Sequence, residues 1–208
     1  LRAALEGKAN ANNYEVELFG MYFDKLLPLA EKWKQQNGGK QDYREMRQYV
    51  DDNNIGDYAI IDKTPYYYAD WDINKIYYNN AAPAQSHALS VQGSSGKSNY
   101  YLSLGYDYKE GTMKIRPDKL NKYNASLAVT TSPYDWLQMG ARLNFTRRDF
   151  TTPDTYNNVY QYIWRWGSFF LPSGSINGYD RRIMAMLKQA ADKNVTNDYL
   201  RINTFVKA

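Results

Sequence analysis

The sequence predicts an all-β protein whose antiparallel strands form part of a transmembrane β-barrel. Two patterns support this prediction: long stretches alternate apolar with polar residues, and the connections between them alternate in length. A third observation is the abundance of aromatic side chains with a polar tip, since the chain contains 21 tyrosines. No stretch is long and apolar enough for a transmembrane helix, so any crossing of a membrane would use strands.

Strands are predicted wherever every second residue is apolar, because successive side chains of a strand point to opposite faces. The strongest alternation occurs in three consecutive stretches, residues 98–109, 120–131 and 136–148. Weaker alternation predicts further strands in residues 14–18, 89–92 and 200–206. Together these stretches give about six strands, and the strong ones reach the roughly 11 residues that a tilted strand needs to cross a membrane.

The connections between the predicted strands fall into two classes. Two are short turns, residues 94–98 with Gly96 and residues 131–135 with Pro133, and both residue types favour turns. The longer connections are residues 110–119, 23–84 and 151–197. Short and long connections lie at opposite ends of the strands, as in outer-membrane barrels, so 23–84 and 151–197 are predicted to be extracellular loops.

The long loops are predicted to contain short helices. Apolar residues at helical spacing predict a first helix over residues 23–33, with Pro28 in its first turn. Asp42 and Glu45 match a capping box for a second helix that runs through Val50. Two more helices are predicted in the last loop, at residues 159–166 and, after a cap at Asp180, at residues 183–190.

Composition and charge exclude several classes of function. The chain has no cysteine and only one histidine, His87, so it can form neither a disulfide framework nor a histidine-rich zinc site. Its 26 basic and 22 acidic residues leave a net charge of +4, which indicates neither a nucleic-acid-binding arm nor an acidic ligand. Asp149 and Asp154 lie near a strand end, as a glycosidase pair does, but turn formation explains them better. We therefore expect no enzymatic activity, no cofactor and no metal.

Aromatic residues in the loops allow two interpretations. The candidates for stacking against a substrate are Trp71, Tyr160, Trp164 and Trp166, because flat aromatic rings bind sugar rings well. The alternative is that these side chains pack the loops against each other or against a partner protein. We favour packing, because aromatic residues dominate protein contacts as well.

Charged residues in the strands have a consistent parity. Asp107, Arg142 and Arg148 lie opposite the apolar residues, so they are the candidates for side chains that face a water-filled lumen. Arg147 is the exception and lies at a strand end. A secreted β-sandwich that binds carbohydrate would tolerate the same alternation, with its polar face in bulk water, and it is the alternative to the barrel.

Several motifs between Asp70 and Asn144 occur together. The set comprises Asp70-Trp71, SHALSVQGS at 86–94, NYYLSLGY at 99–106, KEG at 109–111 and the stretch 136–140. This set resembles the early barrel segment of the SusC-like (SusC/RagA) family of TonB-dependent outer-membrane transporters. The resemblance covers the middle of the chain, and its two ends are compatible but less specific.

The resemblance implies a barrel of about 22 strands around a plug domain, in the outer membrane of a Gram-negative bacterium. It implies import of glycans or peptides together with a SusD-like surface lipoprotein, energised by the TonB complex through an N-terminal TonB box. Outer-membrane lipid would surround the barrel, and nucleic acid is not expected as a partner. Residues 1–208 contain neither plug nor TonB box, and about six strands cannot close a barrel, so we expect a partial barrel domain.

Overall fold

The computed structural model describes residues 17–18, 21–155, 158–159, 161–163 and 173–208. The helices and strands follow in chain order as β1 (Glu17–Leu18), β2 (Met21–Tyr22), α1 (Phe23–Asn37), β3 (Tyr58–Ile61), β4 (Thr64–Tyr67), α2 (Ile73–Tyr77), β5 (Ala84–Ser95), β6 (Ser98–Glu110), β7 (Lys119–Tyr134), β8 (Leu137–Pro153), β9 (Ser175–Ile176), β10 (Tyr179–Asp180), α3 (Arg182–Gln189) and β11 (Asp192–Lys207). The chain divides into two compact units. We call residues 1–78 with 155–190 the loop unit, and residues 79–154 with 191–208 the sheet unit.

The sheet unit contains one five-stranded antiparallel sheet with the order β11-β8-β7-β6-β5. Strand β5 pairs with β6, β6 with β7 and β7 with β8, and β11 pairs with β8 along its whole length. All five strands contain a stretch that the alternation predicted, so the all-β, antiparallel prediction is confirmed. The sixth predicted strand lies mostly outside the described residues. Of it, only Glu17 and Leu18 are described, in a small hairpin with β2.

The connections of the sheet alternate in length as predicted. Residues 96–97 and 135–136 form the short turns, where Gly96 adopts a φ of +57° and Lys97 Nζ lies 3.3 Å from Asp135 Oδ1. Pro133 lies not in the turn but in β7, within the register shift between Thr131 and Tyr134, where the ladder needs no N–H from proline. The long connections at the opposite end are shorter than predicted, residues 111–118 and 154–191, because the strands on both sides of each connection extend further.

The loop unit has a core of large aromatic side chains. Helix α1 buries Leu26, Ala30 and Trp33 on one face, in agreement with the predicted periodicity. The hairpin of β3 and β4 and the chain on either side of it add further fully buried side chains, namely Ile55, Tyr66, Tyr68 and Trp71. Gly56 has a φ of +63°, and a Cβ there would lie 2.5 Å from the Gln48 carbonyl carbon, so only glycine fits.

The helices of the loop unit differ in part from the prediction. Helix α1 forms, but Pro28 lies beyond its first turn. The predicted helix from Asp42 to Val50 is wrong, because that stretch forms isolated bridges to distant segments. There the backbone N–H of Met46 donates to the Ser175 carbonyl at 2.8 Å, a partner that a local sequence pattern cannot reveal.

The predicted helix near the end of the loop unit forms as α3, but Arg181, not Asp180, is its N-cap residue. The Asp180 carboxylate instead contacts Lys188 Nζ at 2.8 Å and accepts a hydrogen bond from Tyr43. Within the predicted helix at 159–166, residues 159 and 161–163 are helical, and the other positions lie outside the described residues.

Candidate functional site

The register of the five-stranded sheet assigns every strand residue to one of two faces. In an antiparallel sheet, residues paired across neighbouring strands project to the same side, so each rung of the ladder carries five side chains on one face. The rung that begins at Leu89 continues through Leu104, Ala125, Phe145 and Leu200. We call the face with this rung the apolar face, and the opposite one the polar face.

The apolar face has a central band of four successive rungs. These rungs begin at Leu89, Val91, Gly93 and Ser95 and cross all five strands. The second rung is aliphatic throughout, with Val91, Leu102, Leu127, Leu143 and Ile202. None of the 20 positions in these described rungs carries a charge.

Aromatic side chains border this band at both ends. Towards the long connections, the Tyr106 ring lies between those of His87 and Tyr123, with ring centroids 6.3 and 5.2 Å apart. Towards the short turns, the exposed rings of Tyr134 and Trp136 stack with centroids 5.6 Å apart.

Charges reappear on the apolar face in the same rung as the rings of His87, Tyr106 and Tyr123. The rung after the band contains Arg147, whose Nη2 lies 2.7 Å from Asp198 Oδ2 across the β8–β11 pair. This pair accounts for the exceptional parity of Arg147 in the sequence pattern. The apolar face therefore has an uncharged centre and aromatic borders, and its charged residues begin in the aromatic border near the long connections.

The polar face carries a network of hydrogen bonds between strands. Asp107 Oδ1 accepts from Ser86 Oγ at 2.6 Å, and Asp107 Oδ2 accepts from Asn124 Nδ2 at 3.4 Å. Thr146 Oγ1 continues the chain by donating to Asn124 Oδ1 at 3.1 Å, while Lys122 Nζ lies 4.0 Å from Asp107. This network links four neighbouring strands through side chains alone.

The three charged candidates from the sequence all lie on the polar face. Asp107 belongs to the network just described, and Arg148 lies on the same rung, opposite Lys122. Arg142 lies three rungs nearer the short turns, opposite Ala128 and Asn203. The structure thus places the three candidates on one surface, and whether that surface lines a lumen stays a prediction.

Of the four aromatic candidates in the loops, only Trp71 lies within the described residues. Its side chain is 1% exposed, and the Arg44 guanidinium lies over its ring at 5.9 Å. This burial favours packing over ligand stacking for Trp71. Tyr160, Trp164 and Trp166 lie outside the described residues.

A buried carboxylate in the loop unit was missed by the sequence analysis. Asp57 is 0% exposed and accepts hydrogen bonds from Trp33 Nε1 at 3.0 Å and from Arg44 Nη2 at 2.6 Å. Arg47 contributes three more donors, its Nε at 3.2 Å, its Nη2 at 3.3 Å and its backbone N–H at 2.9 Å. A signal existed, because Asp57 interrupts the apolar stretch from Ile55 to Ile61, and a charge at such a position needs a buried partner.

Two other titratable groups of the loop unit have structural roles. Burial raises the pKa of Tyr77 to about 12, and its hydroxyl donates to Ser173 Oγ at 3.1 Å. Burial, followed by the hydrogen bond to Asp180, raises the pKa of Tyr43 to about 12. These hydroxyls stay protonated at neutral pH and serve as hydrogen-bond donors, as expected for groups that hold a folded loop together.

The residues considered for catalysis have ordinary structural partners. Asp149 Oδ1 accepts from Thr196 Oγ1 at 2.8 Å, and the backbone N–H of Asp154 donates to the Ala191 carbonyl at 3.0 Å. His87 lies on the apolar face beside Tyr106. Within the part of the chain that the structure describes, no group of acidic or histidine side chains is arranged to hold a metal ion.

Comparisons of the chain with models of protein families, with curated proteins and with solved structures find no match. Among the described helices, none combines the length and the apolar character that a membrane span requires.

Proposed function

We propose that this chain is part of the barrel wall of a SusC-like TonB-dependent outer-membrane transporter, which imports glycans or peptides under a SusD-like lipoprotein. The observation that carries the proposal is the uncharged band that crosses all five strands of the apolar face. In the lipid-exposed zone of a barrel, charged side chains destabilise the fold, whereas the opposite face tolerates them.

The dimensions of the band support a membrane-spanning role. On β5 the band runs from Leu89 to Ser95, which is about 20 Å along the strand and, at the usual tilt of about 40°, about 15 Å along the membrane normal. The aromatic residues beyond each end extend it towards the roughly 25 Å apolar zone of outer-membrane barrels, which aromatic girdles flank. Tyr134 and Trp136 would lie at the periplasmic border, and Tyr106 and Tyr123 at the outer one.

Exposure of the band supports lipid over water as its surroundings. Leu200 is 63% exposed and Ile202 is 61% exposed. A β-sandwich would cover such residues with a second sheet. Exposure of each side chain to water would cost about 1.5 to 3 kcal/mol relative to its burial. Contact with lipid removes this cost without a covering layer.

Both edges of the sheet also fit the proposal. Strands β5 and β11 are the outer strands of the sheet, and each has one edge without a strand partner among the described residues. Open edges do not occur in the apolar zone of a membrane, because the backbone groups there have no water to bond. The proposed barrel therefore includes further strands that pair with both.

In this proposal the polar face forms the inner wall. Asp107, Arg142 and Arg148 would contact the plug or a solute that passes it. The loop unit would belong to the extracellular rim, where the lipoprotein lid and the substrate meet.

Two neighbouring residues of β7 provide a direct test. Leu127 lies in the central band and Ser126 lies on the polar face, where its Oγ donates to Asn144 at 3.0 Å. Because the chain has no cysteine, Leu127→Cys and Ser126→Cys would each introduce one site for a nitroxide label within it. The measurement is label accessibility to lipid-soluble oxygen and to a water-soluble nickel complex, with the complete polypeptide in lipid vesicles.

We expect the label at residue 127 to respond to oxygen and the label at residue 126 to respond to the nickel complex. Equal access of the nickel complex to both labels would contradict the proposal and favour a water-soluble carbohydrate-binding sandwich. The intact mass of the protein extracted from outer membranes, with the identity of any copurified lipoprotein, tests the implied partner separately.

A further inference from the structure

Charge is distributed very unevenly between the two faces of the sheet. Across its five strands, the polar face carries seven cationic side chains and one carboxylate, Asp107. The cationic residues are Lys109, Lys122, Arg142, Arg148, Lys193, Arg201 and Lys207. The acidic residues Glu110, Asp149, Asp192 and Asp198 all lie on the apolar face beyond its band. The small net charge of the chain therefore conceals a strongly positive polar face.

The positive charge is concentrated along the β8–β11 pair. We call Arg142, Arg148, Arg201 and Lys207, together with Tyr199 and Phe205, the basic strip. Every one of these residues projects from the polar face, and no carboxylate lies among them on these two strands. Lys122, which lies outside the strip, is the cation that Asp107 partly neutralises.

Two arginines at the centre of the basic strip are available to a ligand. Arg142 is opposite Asn203, and Arg201 is opposite Asn144 on the adjacent rung, so the two guanidinium groups are diagonal neighbours. Both side chains are exposed, and neither has an ion-pair partner among the described residues. Guanidinium groups bind carboxylates through two parallel hydrogen bonds, which is a stronger and more directional contact than a lysine provides.

Aromatic rings lie on either side of these arginines. Tyr199 is 57% exposed, and the Arg148 guanidinium lies over its ring at 5.9 Å. Phe205 is 42% exposed and covers Gly140, where a Cβ would meet the ring at 2.5 Å. Both rings are thus held near the sheet with one part open to a ligand.

We propose that the basic strip binds a carboxylated glycan, an inference that rests on the proposed transport function and narrows its substrate class. Arg142 and Arg201 pair with carboxylates, while the side chains of Asn144 and Asn203 bind sugar hydroxyls. The rings at residues 199 and 205 stack against the apolar faces of the sugars. A glutamate-rich peptide supplies carboxylates but no sugar ring with an apolar face, so it uses only part of this surface.

The test measures binding of oligogalacturonate by calorimetry to the complete polypeptide in detergent, together with any lipoprotein partner. The matched ligand is the same oligosaccharide with its carboxyl groups reduced to alcohols. The test variant is Arg142→Gln/Arg201→Gln. The control variant, Lys119→Gln/Arg147→Gln, removes the same charge from the apolar face.

We expect the affinity for oligogalacturonate to fall at least about tenfold in the test variant, because each charge-assisted hydrogen bond contributes about that much. It should change less than about twofold in the control variant, and Arg142→Lys/Arg201→Lys should retain part of the lost affinity. The reduced oligosaccharide should bind at least about tenfold more weakly than the acid form.

Three results would overturn the inference: equal binding of the acidic and reduced oligosaccharides, equal loss in the test and control variants, or tighter binding of polyglutamate or a single-stranded oligonucleotide. Failure of this inference is distinct from failure of the transport proposal. If the label at residue 127 faces lipid but the acidic and reduced oligosaccharides bind equally, only the proposed ligand class is contradicted. A protein in which both labels face water contradicts the membrane proposal.

Discussion

The loop unit and the sheet unit differ in how far their side chains are buried. The loop unit buries Trp33, Tyr66, Tyr68 and Trp71 almost completely and surrounds the Asp57 carboxylate with donors from its own chain. In the five strands of the sheet, Pro153 is the only buried residue. The backbone of the sheet is paired strand to strand, but its side chains have no core of their own.

This difference shows where each unit obtains its stability. The loop unit is stabilised by the removal of apolar surface from water and by hydrogen bonds between its own polar groups. The sheet has regular hydrogen bonds but leaves its aliphatic band exposed, so its stability depends on what surrounds it. Substitutions should therefore act through internal contacts in the loop unit and through the environment in the sheet.

The largest effect is expected in the loop unit. Asp57→Ala should lower its free energy of unfolding by about 3 to 5 kcal/mol, because Trp33 and two arginines lose their common acceptor. The measurement is denaturant unfolding followed by tryptophan fluorescence. Asp62→Asn, which breaks an exposed ion pair with Lys25 and keeps a residue type that tolerates the positive φ at this position, is the control and should leave the midpoint unchanged. Equal midpoints for both variants would contradict a central role for Asp57.

The next effect is expected in the sheet and depends on the membrane. Leu127→Arg places a charge at the centre of the apolar band and should cost about 2 to 4 kcal/mol in lipid vesicles. Ser126→Arg, on the polar face of the same strand, should cost much less. Urea titration of the complete polypeptide in vesicles measures both, and similar losses for the two variants would argue against a lipid-facing band.

A pH-dependent effect of intermediate size is expected from Tyr77. Its pKa of about 12 in the folded loop unit exceeds the ordinary value of 10.0, so the folded state retains the proton longer than the unfolded state. Tyr77 should therefore lower the stability by about 2 to 3 kcal/mol as pH rises from 10 to 12, and Tyr43, whose pKa is also about 12, should add a loss of its own. Tyr77→Phe should reduce the pH-dependent loss by the share of Tyr77, whereas Ser173→Ala, which leaves the Tyr77 hydroxyl in place, should not reduce it.

The smallest effect is expected at the surface of the loop unit. Lys25 Nζ lies 2.9 Å from Asp62 Oδ2, but both side chains are exposed to water. Exposed pairs of this kind contribute little, because water and salt screen them. Lys25→Ala should leave the melting temperature unchanged within error. A clear drop would show that surface pairs stabilise this unit in a way that burial does not indicate.

The sequence predicted the strands of the sheet unit better than the loop unit, and the reason is physical. A strand with two different faces has a period of two, so the parity of Leu102, Leu127 and Leu143 was visible without any knowledge of the fold. The bridge between Glu45 and Ser175 was not visible, because it joins segments far apart in the chain. There a capping-box pattern was overridden by tertiary hydrogen bonds.

The candidate site was also predictable only in part. Parity placed Arg142 on the polar side, but only the register shows that it lies diagonally beside Arg201 from another part of the chain. In the Asp57 cluster, Asp57 interrupts an apolar stretch of the sequence, whereas Arg44 and Arg47 look like ordinary surface charges. Only the packed structure shows that both arginines pair with the buried carboxylate.

The junction at which β8 ends and β11 begins has a consequence for assembly of the sheet. The connection of residues 154–191 leaves and re-enters the sheet at one point, where the Asp154 N–H donates to the Ala191 carbonyl. The entropy lost in closing a loop rises only with the logarithm of its length, so doubling this connection would cost roughly 0.6 kcal/mol. This junction can therefore accept long insertions over evolutionary time while the β8–β11 ladder keeps its register.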